Sequence, residues 1–344
     1  MTTAFFTDEQ FSVHTLQGHP EHAGRLEAVI RLYREKGIWK QVYRVAASPA
    51  TDEQLLRVHT AHHLDVLKSV SRLDHPAMLE MDTYVVPASY ELARLAAGGV
   101  IAVVDAVLRG EADNGIAAVR PPGHHATPAR AMGFCLLSNV AIAARHARAA
   151  HHLERVAIVD FDVHHGNGTQ DALYNDPNIL FMSSHQSPLY PGTGAIHEIG
   201  SGAGKGFTAN APLAPGVGDE GIQELYEKFL WPLMRRFQPQ LILVSAGFDA
   251  HWRDPLANLM FTLTGFDHVT RELLHMAQEF CDGKIVFVME GGYDLEVLSH
   301  GWLNIAHALL GSSEVSDPVG AYRQSRGLPP GLLQRLLEIH ELAI

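Results

Sequence analysis

The segment Asp162-Val163-His164 has the residue types and spacing of a metal-binding pair. On extended backbone, residues i and i+2 project to the same side, so a carboxylate and an imidazole can reach one ion. Asp249, closing another apolar run, could supply a third ligand. One imidazole with two carboxylates suits Zn2+ or Fe2+ and leaves coordination positions open for water and substrate. The plainer reading of each motif is a loop residue capping a turn. The convergence of three motifs on one rim is what favours a metal.

His124 and His125 follow a Pro-Pro-Gly turn that fixes the backbone. Adjacent loop histidines are commonly solvated, but beside a metal they offer the general base and the electrostatic partner that hydrolysis needs. Asp160 and Asn167 lie on the metal-bearing segment, and each could orient one imidazole and fix its tautomer. An Asp partner raises imidazole basicity more than an Asn partner, so the two histidines are expected to differ in protonation. Tyr293, in Gly291-Gly292-Tyr293, could donate a hydrogen bond from its phenol to a developing oxyanion. Its plainer reading is an aromatic packed over a helix start.

These residues need a frame that brings distant segments together. Continuous apolar runs at Ile116 to Val119, Val156 to Phe161, Ile179 to Ser183, Leu241 to Ser245 and Lys284 to Met289 read as strands buried on both faces of a parallel sheet. Helical periodicity recurs between them, near 24–36, 88–109, 136–150, 219–237, 264–281 and 294–310. Ligands of an open parallel sheet bind outside the carboxyl ends of its strands. All the residues above follow such ends. The pattern gives one domain over residues 1–311, with 312–344 as an appended segment ending in a short amphipathic helix.

Composition narrows the partners. The chain has 344 residues, 47% hydrophobic, with a formal net charge of −12, which argues against tracking a phosphate backbone. Its two cysteines, Cys135 and Cys281, cannot form a disulfide framework or a Cys-rich zinc module, so metal chemistry must rest on its 22 histidines and its carboxylates. The N-terminus lacks a basic, apolar leader, and the longest uncharged helical candidate, Ala131 to Ala144, is too short to span a bilayer. A cytoplasmic protein without membrane or direct nucleic-acid contacts is expected, with homo-oligomerisation left open. His165 and His185 are expected near the site, whereas His59, His62, His63, His151 and His152 read as exposed. The glycines of Gly200 to Gly206 fail the phosphate-loop template, and neither a Gly-x-Ser-x-Gly elbow nor a His-Glu-x-x-His helix occurs.

Together the motifs resemble the histone deacetylase superfamily. The resemblance runs through His19-Pro20-Glu21, Arg25, Arg120 to His125, Gly133-Phe134-Cys135, Asp160 to Gly168, Tyr190 to Gly194, Ala246 to Asp249 and Gly291 to Asp294, with Asn167 matching the class II branch and its bacterial relatives. It implies the arginase/deacetylase α/β fold, a single domain around a mostly parallel sheet of about eight strands flanked by helices. It also implies a zinc-dependent amidohydrolase, with Asp162, His164 and Asp249 as metal ligands. By the same resemblance His125 is the general acid/base, His124 its electrostatic partner and Tyr293 the oxyanion donor. Gly133, Phe134 and Tyr190 become walls of an acyl-lysine tunnel, and Arg25 lies near an acetate-release cavity. A structural K+ would be held by Asp160, Asp162, His164 and Ser183.

The dinuclear manganese arginases share that fold, but their extra acids two residues beyond each metal-bearing Asp are absent here, which favours one metal. Substrate stays open between an acetylated lysine peptide, which is preferred, and a small acetylated amine such as an acetylpolyamine. Leu256, after Asp254-Pro255, stands where one polyamine branch has an acidic gatekeeper, while Asp82 could sit at the rim and bind a substrate amide or ammonium group. A catalytically silent acyl-lysine binding protein is the alternative from another class.

Overall fold

The computed structural model describes residues 1–322 and 324–343; Arg323 and Ile344, both within the appended 312–344 segment, lie outside the described residues. Among the described residues ten strands form: β1 (Thr3–Phe6), β2 (Tyr43–Arg44), β3 (Ala77–Met78), β4 (Tyr84–Val85), β5 (Asn114–Ala117), β6 (Val156–Asp160), β7 (Ile179–Gln186), β8 (Thr208–Leu213), β9 (Leu241–Ala246) and β10 (Ile285–Met289). Eight of them make one sheet in the order β2-β1-β5-β10-β9-β6-β7-β8, and every pairing in it is parallel. β3 and β4 pair apart from it as a short antiparallel ribbon. This is the arginase/deacetylase α/β arrangement, a single domain with helices flanking the sheet.

The five apolar runs become β5, β6, β7, β9 and β10, and β6, β9 and β10 are buried at every residue. A strand covered by helices on both faces needs no polar side, so its sequence does not alternate. β1 and β8 escape the sequence reading for identifiable reasons. β1 has four residues at the chain start, and β8 interrupts its apolar pattern with Asn210 and Pro212. β8 is an edge strand, where a proline withholds no donor that the sheet needs.

The helices are α1 (Gly24–Glu35), α2 (Asp52–Leu56), α3 (Ala61–Ser69), α4 (Ser89–Leu108), α5 (Asn139–His151), α6 (Asn167–Leu173), α7 (Asp219–Leu225), α8 (Trp231–Phe237), α9 (Leu263–Cys281), α10 (Leu295–Leu309) and α11 (Leu332–Ile339). A π-turn over Tyr226–Leu230 joins α7 to α8, so the 219–237 period is one continuous helical rod. The expected helix over Ala131 to Ala144 forms only from Asn139 onward. Gly133 and Phe134 both adopt positive φ, 55° and 67°, which breaks any helix before it. No described helix is long and apolar enough to cross a membrane.

The C-terminal segment returns along the body of the domain. Gly218 donates to the Arg326 carbonyl, Trp252 Nε1 donates to the Gly320 carbonyl, and Leu336 is buried in the main core.

Two histidines expected on the surface are buried. His59 sits between the Thr127 carbonyl, 3.1 Å from Nδ1, and the Ser138 amide, which donates to Nε2 at 2.9 Å. His63 Nε2 meets the Leu136 carbonyl at 2.9 Å. Their periodicity is polar, but each ring finds backbone partners in the 127–138 loop, which makes burial tolerable.

Candidate active site

Strands β5, β10, β9, β6 and β7 are adjacent in the sheet, although the chain visits them in another order. Their carboxyl ends therefore place Arg120 to His125, Glu290 to Tyr293, Ala246 to Asp249, Asp160 to Asn167 and Ser183 to Tyr190 around one rim. Backbone bonds extend the register past the strands: Phe161 donates to Ser245, Glu290 to Ala246, and Phe248 to Gly291.

Asp162, His164 and Asp249 bring one ligand atom each within 4.8 Å of one another. His164 Nδ1 lies 3.1 Å from Asp162 Oδ1 and 3.3 Å from Asp249 Oδ2. The remaining carboxylate oxygens are held by backbone: the Gly291 amide donates to Asp162 Oδ2 at 2.8 Å, and the Val163 amide to Asp249 Oδ1 at 2.9 Å. Asp249 Oδ2 is buried and receives no hydrogen bond. An anionic oxygen left unpaired in the interior is strongly unfavourable unless a cation meets it. Burial works against a charge on His164, yet the two carboxylates overcome it and raise its pKa to about 10. The field at this point favours a cation, and the donor set fits a divalent metal with open positions. Gly291 makes the approach possible, because a Cβ there would stand 2.0 Å from Asp249 Oδ2.

Two other groups have ligand-like composition and fit a metal less well. In His124, Cys135 and Glu290, burial keeps the thiol protonated. Glu290 is already engaged by the Gly123 and His124 amides. In Asp105, His146 and His151, both imidazole Nε2 atoms face a single oxygen, Asp105 Oδ1, at 2.8 and 2.7 Å. His146 Nδ1 there faces donors, Arg57 at 3.4 Å and Gln54 at 3.5 Å, where a metal-bound imidazole needs an acceptor.

The paired histidine rings lie beside the ligands with centres 4.0 Å apart and planes tilted by 42°. His124 Nδ1 meets Asp160 Oδ2 at 3.0 Å, and its Nε2 lies 3.8 Å from Asp162 Oδ1. His125 Nδ1 meets Asn167 Oδ1 at 2.8 Å. Burial opposes a charge on His124, but Asp162 and Asp160 outweigh it and raise its pKa well above the usual imidazole value. For His125, burial and the neighbouring His124 and His164 act together and hold its pKa well below that value. The expected difference in protonation thus has a geometric cause in the different partners.

Tyr293 closes the opposite side. Its amide donates to Asp254 Oδ2 at 2.8 Å, and the Arg25 guanidinium lies 4.9 Å from its ring centre. Arg25 Nε donates to the Gly292 carbonyl at 2.8 Å, and its terminal nitrogens reach the Glu290 carbonyl and Glu21. Burial raises the phenol pKa well above its ordinary value, so the group keeps its proton.

Two aromatics line the approach. Phe134 stands edge-on to Tyr293 at 5.9 Å, and Tyr190 edge-on to His125 at 5.2 Å. Gly133 takes a left-handed turn whose missing side chain leaves room for His125; a Cβ would come within 2.4 Å of that ring. Asp82 is half-buried, with its carbonyl 3.0 Å from His19 Nε2, and His19 packs against Phe134. Leu256 is 36% exposed, and its amide donates to Asp254 Oδ1. Ser183 pairs laterally with Asp160, and its hydroxyl lies 2.9 Å from His185 Nδ1.

Some supporting residues had no assigned role from sequence. Glu290 holds the His124 loop through two amides, and Asp254 ties the Leu256 turn to Tyr293. Their place beside the Gly-Gly-Tyr and Asp-Pro motifs was the only signal available.

Comparison with known proteins agrees with this geometry. Residues 19–309 match the histone deacetylase domain family model. A probable deacetylase of Archaeoglobus fulgidus is 40% identical over 97% of this chain and 92% of its own length. A histone deacetylase-like amidohydrolase of Pseudomonas aeruginosa is 40% identical over 92% of this chain and 88% of its own. The crystal structure of the HDA15 HD domain superposes with a TM-score of 0.88 at 35% identity, covering 99% of this chain and 93% of that one. The chain belongs to the histone deacetylase family and is a hydrolytic deacetylase.

Proposed function

We propose that the protein is a Zn2+-dependent amidohydrolase that removes acetyl groups from N-acetylated primary amines, with acetyl-lysine of a peptide or protein as the favoured substrate. The buried Asp249 Oδ2, which accepts no hydrogen bond and converges with Asp162 and His164 on one point, carries the metal reading. Fe2+ suits the same ligand set. A bound Zn2+ supplies Lewis acidity toward the acetamide carbonyl and lowers the pKa of water beside it.

The chain's own groups do the rest. Phe134 and Tyr190 flank the methylene chain of the lysine and exclude water from it. Asn167 keeps the proton of His125 on Nδ1, which leaves Nε2 free to take a proton from the attacking water. His124, paired with Asp160, stays cationic beside it and stabilises the negative charge that develops. Tyr293, which keeps its proton, donates a hydrogen bond from its hydroxyl to the oxyanion. His125 then returns its proton to the amine nitrogen as the carbon–nitrogen bond breaks, and acetate leaves past Arg25. Asp160, Asp162 and His164, through their backbone carbonyls, and Ser183 through its hydroxyl, are proposed to hold a structural K+.

A small acetylated amine is the second reading. Burial raises the Tyr190 hydroxyl's pKa, with Asp82 and Glu80 adding to it and Arg130 opposing, and the two nearby acids are what a free ammonium group would pair with. The deciding experiment compares an acetyl-lysine peptide, acetylputrescine and acetylspermidine at equal concentration, with and without a chelator and with Zn2+ restored. Activity indifferent to the chelator would sink the metal reading, and faster turnover of the free polyamines would reverse the substrate order.

A further inference from the structure

Tyr190 lies on a segment with slight apolar anchoring: Leu189 packs partly buried against the core, and Ile196 is buried just beyond the segment. From Ser187 to Thr193 no residue is buried, and Tyr190 is 38% exposed. Its ring nevertheless keeps a defined pose, edge-on to His125 at 5.2 Å and to His164 at 6.3 Å. A segment with so little buried surface is positioned largely by polar contacts at its ends. At the upstream end the Ser187 amide donates to the Leu213 carbonyl, prolonging the β7–β8 pairing.

The downstream end converges on one carboxylate. The Gly194 and Ala195 amides donate to Glu198 at 3.2 and 3.1 Å, and Gln170 Nε2 donates to it at 2.7 Å. Gln170 sits on α6, one turn beyond Asn167. Its carbonyl oxygen accepts from Asn210 Nδ2 at 2.7 Å and lies 3.1 Å from His165 Nε2. The other ring nitrogen of His165 meets Thr193 Oγ1 at 2.7 Å. Glu198 is thus the junction between the tunnel-wall loop and the helix whose first turn orients His125.

We propose that Glu198 is a positioning residue for the deacetylation, clamping the 187–195 loop so that Tyr190 is held against the substrate's methylene chain. The assignment rests on the reading of Tyr190 as a tunnel wall. A carboxylate suits the task because it accepts all three N–H donors at once. Without it the downstream end keeps the Thr193–His165 and Gly194–His185 contacts and buried Ile196 but loses both amide bonds and the tie to Gln170, so Tyr190 samples positions away from the chain. Substrate capture suffers, and the proton-transfer groups stay in place.

The test uses Zn2+-loaded enzyme and an acetyl-lysine peptide, with steady-state kinetics and hydrogen exchange of residues 187–195. Glu198→Ala should raise KM about tenfold and leave kcat within about twofold. Glu198→Gln keeps one acceptor oxygen, for the Ala195 amide or for Gly194 and Gln170 but not for both, and should recover only part of the loss. Tyr190→Ala should also raise KM, and adding Glu198→Ala to it should change little more, because the two act through one contact. Exchange of the loop should quicken in Glu198→Ala and stay near the parent rate in Tyr190→Ala. Multiplicative effects in the double variant, or a fall in kcat at constant KM, would overturn the clamp. If Tyr190→Ala leaves kcat/KM unchanged, the tunnel-wall reading fails, and exchange alone then decides whether Glu198 holds the loop. Should Glu198→Ala not fold, Glu198→Asp, which keeps the charge and shortens its reach to the Gly194 and Ala195 amides, is read by the same two measurements with the same outcomes.

Discussion

His125 Nδ1 stands 2.8 Å from the amide oxygen of Asn167, whereas the adjacent His124 meets a carboxylate, Asp160, at 3.0 Å. A neutral acceptor fixes the tautomer of His125 without adding negative charge to favour the imidazolium. Asn167→Ala should therefore lower kcat by about 10- to 100-fold, with metal content unchanged. Kinetics alongside metal analysis of the purified variant checks this, and full activity would remove Asn167 from the mechanism.

Tyr293 is held from two sides, its amide by Asp254 and its ring by Arg25. Tyr293→Phe keeps both contacts and deletes only the hydroxyl. Its kcat should fall by about 10²- to 10³-fold, the usual loss for one oxyanion donor, with melting temperature and metal content preserved. A variant that turns over normally would mean that the hydroxyl does not touch the reacting oxygen.

Gly291→Ala should fold but bind its metal weakly. The added methyl would meet Asp249 Oδ2 at 2.0 Å and Asp162 Oδ2 at 2.5 Å, forcing one carboxylate out of the ligand cluster. Metal stoichiometry near that of the parent would show that the loop absorbs the methyl elsewhere.

Acid should weaken the fold in two stages. Burial holds the pKa of His59 down at about 3, so its unfolded-state pKa near 6.5 is the higher one. Its contribution is complete above pH 6.5 and declines as pH falls from there toward 3, by at most about 1.4 kcal/mol per pH unit. For Glu21, burial is outweighed by Arg120, which lowers the folded pKa to about 2 from about 4.5. Its contribution is present above pH 4.5 and is lost only as pH falls toward 2. Urea melts at successive pH values should show the earlier decline, and His59→Gln should be less stable at pH 7.5 yet flatter between pH 6 and 4. An unchanged slope in that variant would exclude His59 as a source.

The residues of the candidate site could be picked out of the sequence because metal and proton chemistry restricts residue type. Asp162 and His164 at i and i+2 share a side wherever the backbone is extended, and Asp249 and Tyr293 each follow a strand-like apolar run. The buried strands were legible too, since a strand covered on both faces must be apolar throughout. What local pattern could not supply was any property that depends on a distant neighbour. His59 and His63 read as surface residues until the 127–138 loop supplies their partners. β8 is a strand only because β7 lies beside it. Which of Asp160 and Asn167 faces which histidine, and that Glu198 reaches both the Tyr190 loop and α6, follow from strand order and loop path. The sequence by itself determined the chemistry available to this protein; the tertiary structure decided which groups meet, because hydrogen bonds and charge coupling act over a few ångströms and sequence distance does not measure them.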